Sequence, residues 1–145
     1  KLNKKTDLLL FFASRSENFE KIIKKNYKKK IILIDRFVDS TIAYQHFGMN
    51  IDLKIINMLN KFVIGKFRPE ITFLSTVNAK NLKLRLNKRS NLNRYDKFKL
   101  NFYKKVQKGF LRISRNNKKY IIIDSNKKNI KDVKKIIIKK LETLI

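Results

Sequence analysis

Residues 31–45 read IILIDRFVDSTIAYQ, and this stretch decides which fold the sequence predicts. It opens with four apolar side chains and then reaches Asp35, a pattern typical of a buried parallel strand with a carboxylate at its C-terminal end. Arg36 follows directly. Residues 39–41, DST, match the cap of a short helix. The stretch therefore predicts a strand, a charged turn and a helix in immediate succession.

Short apolar strands and helices alternate along the rest of the chain. Further strands are predicted at 71–74, ITFL, and at 120–124, YIIID. This alternation predicts an α/β fold with a parallel sheet, helices on both its faces and right-handed crossovers. Ligands of such sheets bind beyond the carboxyl ends of the strands, where Asp35, Ser75 and Asp124 lie. Helices are predicted at 6–25 (capped by Thr6 or Asp7), 39–47, 52–64 (opened by Asp52 and ended by Gly65), 78–88 (capped by Asn78), 96–114 and 130–145.

Length and composition exclude several classes of protein. The 145 residues amount to a single domain. The absence of cysteine excludes a disulfide scaffold, a thiolate nucleophile and a cysteine-ligated zinc site. The one histidine, His46, excludes a His-rich metal site. Apolar runs fall short of the ~18 residues of a membrane span, so we expect no membrane partner.

The formal net charge of +26 raises the alternative of a small basic protein that binds nucleic acid. Lysines outnumber arginines 29 to 8 and are spread along the whole chain, whereas surfaces that recognise grooves and phosphates also use arginine. Most phenylalanines stand at positions periodic with a core. We therefore favour solvated lysine faces over a nucleic-acid partner and keep nucleic-acid binding as the alternative.

The charged turn and the following helix can carry phosphate chemistry. Asp35 can hold a hydrated Mg²⁺, because this ion usually keeps several waters and takes one or two carboxylates. Arg36 can bind a phosphate through its planar fork of donors. Ser40, Thr41 and Tyr44 would lie nearby on the following helix. The residues alone leave open the alternative of a structural Asp35–Arg36 ion pair with Tyr44 in the core.

Placed after a strand, DRFVDSTIAYQ resembles the most characteristic motif of the thymidylate kinase family, which transfers a phosphoryl group from ATP to thymidine monophosphate (dTMP). The resemblance covers essentially the whole chain in order and spacing. It implies a P-loop NTPase-type fold, that of the nucleoside monophosphate kinases, with ATP as co-substrate. The other matching blocks are LLLFFASR at 8–15, residues 51–74, RLNKRSNLNRYDK at 85–97, FYKKVQKGFLRI at 102–113 and YIIIDS at 120–125.

The resemblance also implies which residues bind dTMP. Phe11 matches the aromatic residue that stacks on the thymine ring, although a core position is the alternative for a phenylalanine on a helix. Arg15 matches the arginine that meets the base edge, and Arg36 matches the one that binds the acceptor phosphate. Tyr44 matches the residue that sits against the sugar and disfavours a ribose 2′-hydroxyl. The residues that match the lining of the nucleotide site are Ser40, Thr41 and Gln45.

Catalytic and lid residues follow from the same resemblance. Asp35 matches the carboxylate that orders Mg²⁺, through water, together with the phosphates. Residues 85–96 match an arginine-bearing lid on the ATP side, in which Arg85, Arg89 and Arg94 neutralise charge on the transferring phosphoryl group. Solvated loop arginines are the alternative for these three. The catalytic residues implied are Asp35, Arg36, Arg89 and Arg94.

Three places depart from the family pattern, and one of them is residues 46–48, HFG, where the family often has small residues after the match to Gln45. Asn93 stands where the lid usually has an aspartate before its arginine, which removes an ion pair that would orient Arg94. Ser75 stands where an aspartate usually follows the second of the predicted strands.

The phosphate-binding loop G-x-x-x-x-G-K-[ST] does not occur in the 145 residues. In the family this loop and two strands precede the helix matched by residues 8–15. We therefore expect a single partial domain, the C-terminal two thirds of a thymidylate kinase, missing its first two strands. The segments 31–35 and 71–74 would then flank an empty position in the sheet. Alone, the chain should not catalyse.

The resemblance further implies a cytoplasmic enzyme of dTTP biosynthesis that forms a homodimer. A related kinase that acts on another nucleotide is an alternative, beside the nucleic-acid-binding protein considered above.

Overall fold

The computed structural model describes residues 2–91 and 95–143. It divides into two compact units. The first comprises Lys1–Arg68 with Lys105–Ile113, and the second comprises Pro69–Lys104 with Ser114–Ile145.

The first unit begins with one long helical segment. Helix α1 (Lys4–Asn18) continues through a π-helical turn, π1 (Phe19–Ile23), into the short helix α2 (Lys24–Asn26). The predicted helix over 6–25 is thus confirmed, but its cap is wrong. Instead, the side chain of Asn3 accepts hydrogen bonds from the backbone N–H groups of Lys5 and Thr6, at 2.9 Å each. Because the chain is extended at Asn3, its side-chain oxygen turns back onto the first turn.

Three further helical segments follow in this unit. They are α3 (Val38–Thr41), a seven-residue π-helical turn, π2 (Ile42–Gly48), and α4 (Leu53–Ile64). The side chain of Asp52 caps α4, and Gly65 ends it with a φ of 56°, as the sequence predicts. Helix α4 packs on α1 around a small apolar core of Leu8, Phe12, Ile51 and Ile56, which Ile42, Met49, Leu59 and Val63 extend.

The predicted strand at 31–35 is wrong. Residues 31–34 lie outside any strand or helix, and Ile31 and Leu33 are 64% and 74% exposed. A strand is stabilised by hydrogen bonds to a neighbouring strand. In the part of the chain that the structure describes, the sheet consists of two other strands, so this apolar run has no ladder to join.

The second unit contains that sheet. Strands β1 (Thr72–Thr76) and β2 (Tyr120–Asp124) pair in parallel, with Thr72 opposite Tyr120 and Thr76 opposite Asp124. This confirms the predicted parallel pairing, although the described sheet has two strands and not three. The second unit also contains α5 (Ala79–Asn87), which Asn78 caps as predicted, and α7 (Ile130–Glu142).

Helix α6 (Leu100–Ser114) begins four residues later than the sequence predicts. The residues before it form a turn that local side chains stabilise. The hydroxyl of Tyr103 donates to the Tyr95 carbonyl at 2.6 Å. The ring of Phe98 stacks on that of Phe102, with centroids 4.2 Å apart. These contacts stabilise the turn at residues 95–98 that precedes α6.

Within residues 2–91 and 95–143, no helix combines the length and the apolar character that a membrane crossing requires.

Candidate functional site

Arg36 stands at the centre of the predicted site with a strained backbone. Its φ is 64°, a value that side chains other than glycine rarely adopt. The left-handed conformation costs roughly 1–2 kcal/mol. Its guanidinium carbon lies 4.9 Å from the centroid of the Tyr44 ring, a cation–π contact. Arg36 and the preceding Asp35 are both exposed, so the turn presents a guanidinium and a carboxylate to solvent.

Tyr44 belongs to π2 and is half-buried. Such π-helical turns are rare and often lie at functional sites, because the wider turn changes the direction of its side chains. The ring of Phe110 meets Tyr44 edge-on, with centroids 6.2 Å apart and planes at 77°. Tyr44 is therefore packed on one side by an aromatic residue and contacts the charge of Arg36 as well.

Arg15 is the second arginine of the site, and it is oriented by several contacts. Its Nη2 donates to Thr41 Oγ1 at 2.7 Å and to the Phe37 carbonyl at 3.4 Å. Its guanidinium also lies 5.0 Å from the Phe12 ring centroid and 5.6 Å from that of Phe37. Its Nη1 is buried, and no acceptor for it occurs among the described residues. One donor edge of Arg15 is thus engaged by the protein, and the other is left for an additional acceptor.

Burial lowers the pKa of Arg15 from its usual value, and the carboxylate of Asp39 opposes that shift. An arginine keeps its proton at neutral pH even after such a shift. Arg15 therefore enters the site as a charged, oriented donor.

Adjacent phenylalanines on α1 separate into two environments. Phe12 is 3% exposed and packs in the core, while Phe11 is 40% exposed. Phe11 lies one helical turn before Arg15, so both side chains project on the same face of the helix. A core position was the alternative for Phe11, but it is Phe12 that packs in the core.

The structure places the remaining predicted acceptor residues below the surface or at its edge. Thr41 is buried and accepts the hydrogen bond from Arg15. Gln45 is buried and donates to Asp7 Oδ2 at 3.4 Å, which ties π2 to α1. Ser40 is half-buried on α3. Sequence analysis missed Asp7 as a structural partner, because it was considered a helix cap.

Arg85 and Arg89, predicted for the lid, are held by different partners in the second unit. Arg85 donates to the Ser125 carbonyl at 2.6 Å and to its hydroxyl at 3.2 Å. Ser125 in turn donates to the Thr76 carbonyl at 2.7 Å, so Arg85 is fastened to the carboxyl end of the sheet. Arg89 pairs with Asp96 at 2.7 Å. Arg94 and Asn93 lie outside the described residues.

Asp96 is a residue that sequence analysis did not single out. Its side chain is largely buried, while that of Arg89 is about half exposed. The available signal was an acidic residue seven positions after an arginine in a strongly basic segment.

A sequence model described as thymidylate kinase matches residues 1–137. The chain belongs to the thymidylate kinase family.

Curated relatives agree with this family assignment. The thymidylate kinase of Ehrlichia ruminantium is 39% identical, over 99% of this chain and 70% of its own length. That of Trichodesmium erythraeum is 33% identical over 87% of this chain and 56% of its own length, and that of Wolbachia pipientis is 41% identical over 75% and 54%. The chain thus spans little more than half the length of the last two relatives.

A solved structure agrees as well. The crystal structure of thymidylate kinase from Ehrlichia chaffeensis superposes with a TM-score of 0.67 at 33% identity, over 99% of this chain and 68% of that one. The helices and the small parallel sheet described above are consistent with the P-loop kinase fold of this thymidylate kinase.

Asp35 is the carboxylate that the sequence predicts to hold Mg²⁺. Among residues 2–91 and 95–143, no cluster of three or more His, Cys, Asp or Glu side chains can enclose a metal. Asp35 is an exposed carboxylate beside a predicted phosphate-binding arginine. Because Mg²⁺ is usually held by one or two carboxylates, substrate phosphates and water, this donor set fits a hydrated Mg²⁺ and not an all-protein cage.

Proposed function

We propose that the complete gene product is a dTMP kinase, which transfers the γ-phosphoryl group of ATP to dTMP and gives dTDP for dTTP biosynthesis. The observation that carries the proposal is the arrangement of two arginines in one unit. Arg15 is fixed by Thr41 and Phe37 with one buried donor still available. Arg36 is supported by Tyr44.

Each acceptor residue has a role that its surroundings support. The exposed ring of Phe11 can stack on thymine, and base–aromatic stacking contributes roughly 1–3 kcal/mol. Arg15 would donate to the base edge through its available Nη1, and Arg36 would bind the phosphate through its fork. Tyr44 would lie against the sugar. Ser40, Thr41 and Gln45 would shape the site, the last two from buried positions.

Asp35 is the residue that would hold Mg²⁺, through water. The bound ion would supply neutralising charge for the phosphates. In the lid, proposed over residues 85–96, Arg85, Arg89 and Arg94 would stabilise charge on the transferring group. The contacts of Arg85 with Ser125 and of Arg89 with Asp96 support ordered placement of two of these three.

The chain of 145 residues contains no glycine-rich phosphate loop. We therefore propose that these residues form one partial kinase domain and do not catalyse phosphoryl transfer by themselves, since backbone N–H groups that cradle the ATP phosphates are needed. The exposed apolar run at 31–34 supports the expectation that further strands complete the sheet of the family.

The proposed homodimer has support from helix α4. Its buried face carries Ile56 and Ile64, and a second apolar stripe on another face consists of Ile55, Met58 and Phe62, all exposed. Phe62 is 87% exposed. The spacing i, i+3, i+7 aligns the stripe along the helix, so two copies related by a twofold axis can bury it against itself. A cytoplasmic location stays a prediction.

The test is an assay of the complete gene product with ATP, Mg²⁺ and each common nucleoside monophosphate. We expect the highest catalytic efficiency with dTMP. Preference for another nucleotide would identify a related kinase, and failure to phosphorylate dTMP would refute the proposal. DNA binding that weakens steeply with salt, without kinase activity, would support the nucleic-acid alternative.

A further inference from the structure

Gly109 of α6 approaches π2 so closely that no other residue fits without a shift. It is buried, and a Cβ atom added there would lie 2.6 Å from Phe47 Cδ2, 2.8 Å from Cγ and 3.0 Å from Cβ. Two of these atoms are close to the Phe47 backbone and cannot swing away as the end of a flexible chain can. Glycine is a poor helix former, so this close contact accounts for its place inside α6.

The next residue of α6 reaches the same helical turn at another point. The ring of Phe110 packs edge-on against Tyr44. Gly109 and Phe110 therefore contact π2 at Phe47 and Tyr44, three residues apart. All four residues belong to the first unit.

Tyr44 connects this packing to Arg36, whose guanidinium lies over its ring. Arg36 itself is exposed and has a positive φ. A long exposed side chain loses rotamer freedom when it binds a ligand, and a contact that orders it beforehand reduces that loss. The position of the Tyr44 ring thus affects how readily Arg36 binds an anion.

We propose that Gly109 and Phe110 are positioning residues, which seat π2 so that Tyr44 holds the Arg36 guanidinium ready for the acceptor phosphate. The proposal rests on the proposed function, in which Arg36 binds that phosphate. The site would then include two residues of α6 that follow Tyr44 by more than sixty positions in the sequence.

The test separates phosphate binding from base binding. Dissociation constants of dTMP and thymidine are measured by titration calorimetry on the complete gene product and its variants, and the ratio of the two constants reports the phosphate alone. For Gly109→Ala we expect dTMP binding to weaken by roughly two- to fivefold, the range of a cation–π contact at an exposed site. Thymidine has no phosphate for Arg36 to bind, so its dissociation constant should change by less than about twofold.

Companion variants test the route of the effect. Phe47→Ala added to Gly109→Ala removes the clashing Cγ and Cδ atoms and should restore much of the preference for dTMP. Tyr44→Leu removes the ring and should reduce the preference for dTMP. Phe110→Leu adds no clash and should act in the same direction as Gly109→Ala, so the proposal stays testable if that variant does not fold.

Gly65→Ala serves as the control for backbone strain. Its φ is also positive, and nothing lies within 4 Å of an added Cβ, so it should lower the melting temperature and leave both affinities unchanged. An unchanged ratio in folded Gly109→Ala and Phe110→Leu would overturn the inference. Equal weakening of both ligands would overturn it too. A wild-type protein that does not prefer dTMP over thymidine would refute the proposed function itself, and the inference with it.

Discussion

Arg15 of α1 and Thr41 of α3 are joined by a 2.7 Å hydrogen bond across 26 residues of sequence. The bond aligns one edge of the guanidinium with buried protein groups. Nη1 of the same guanidinium is buried without an acceptor among the described residues. Since a buried donor left unpaired costs about 1–3 kcal/mol, this pair of residues indicates where a ligand would be stabilised.

Removal of the Thr41 hydroxyl should weaken both the fold and the binding of the base. We expect Thr41→Val to lower the free energy of unfolding by about 1–3 kcal/mol, because Arg15 Nη2 loses its shorter hydrogen bond in a part-buried place. Thymidine affinity should fall as Arg15 loses its orientation. Urea unfolding and calorimetry measure the two effects. Thr41→Ser keeps the hydroxyl and is the control. A Thr41→Val protein with wild-type stability would contradict this role.

Arg36→Ala should impair the complete enzyme through the acceptor phosphate. Hydrogen bonds to charged groups contribute about 1.5–3 kcal/mol, so we expect kcat/KM for dTMP to fall at least about tenfold, with KM for ATP little changed. Arg36→Lys keeps the charge without the planar fork and should recover only part of the loss. Steady-state kinetics with each substrate varied in turn provide the measurement, and unaltered kinetics in Arg36→Ala would exclude the role.

Asp96 should act on catalysis through Arg89. The carboxylate of Asp96 is largely buried and the Arg89 side chain is about half exposed, so loss of the ion pair should lower the free energy of unfolding by about 1–3 kcal/mol. If the pair orients Arg89 for the transferring phosphoryl group, Asp96→Asn should lower kcat several-fold, and Arg89→Ala should lower it further. The double variant should match Arg89→Ala alone, because one effect acts through the other. Additive losses in kcat would show that the residues act separately.

Phe62→Glu should dissociate the proposed homodimer. A carboxylate at the C-terminal end of the apolar stripe would be buried without a partner in the dimer, which is costly. Analytical ultracentrifugation of the complete gene product should show a dimer for the wild type and a monomer for the variant. Asn57→Glu adds the same charge at an exposed position of α4 outside the stripe and should stay dimeric. A monomeric wild type would contradict the proposal.

The chain of 145 residues should show no turnover with ATP, Mg²⁺ and dTMP. Its amide exchange should be fast at 31–34, where no strand forms, and slower at 121–123 within β2. Turnover of about 1–100 per second, the ordinary range of kinases, would show that a glycine-rich loop is dispensable here.

The amino-acid sequence by itself determined the elements whose hydrogen bonds are local. Asp52 and Asn78 cap their helices, and Gly65 ends α4, because each acts on backbone groups within a few residues. The apolar run of β2 was recognisable as well. The order of motifs was also sufficient to place the chain in its family.

Tertiary structure decided what depends on distant partners. Residues 31–34 have the composition of a strand, but a strand forms only where another strand completes its hydrogen bonds. The contacts of Arg36 with Tyr44, and of Gly109 with Phe47, depend on a π-helical turn that no residue pattern predicted. Local sequence specifies backbone conformation over a few residues. The Tyr44 ring packs against Phe110 of α6, a helix that follows it by more than fifty residues, and packing of that kind is determined only when the chain has folded.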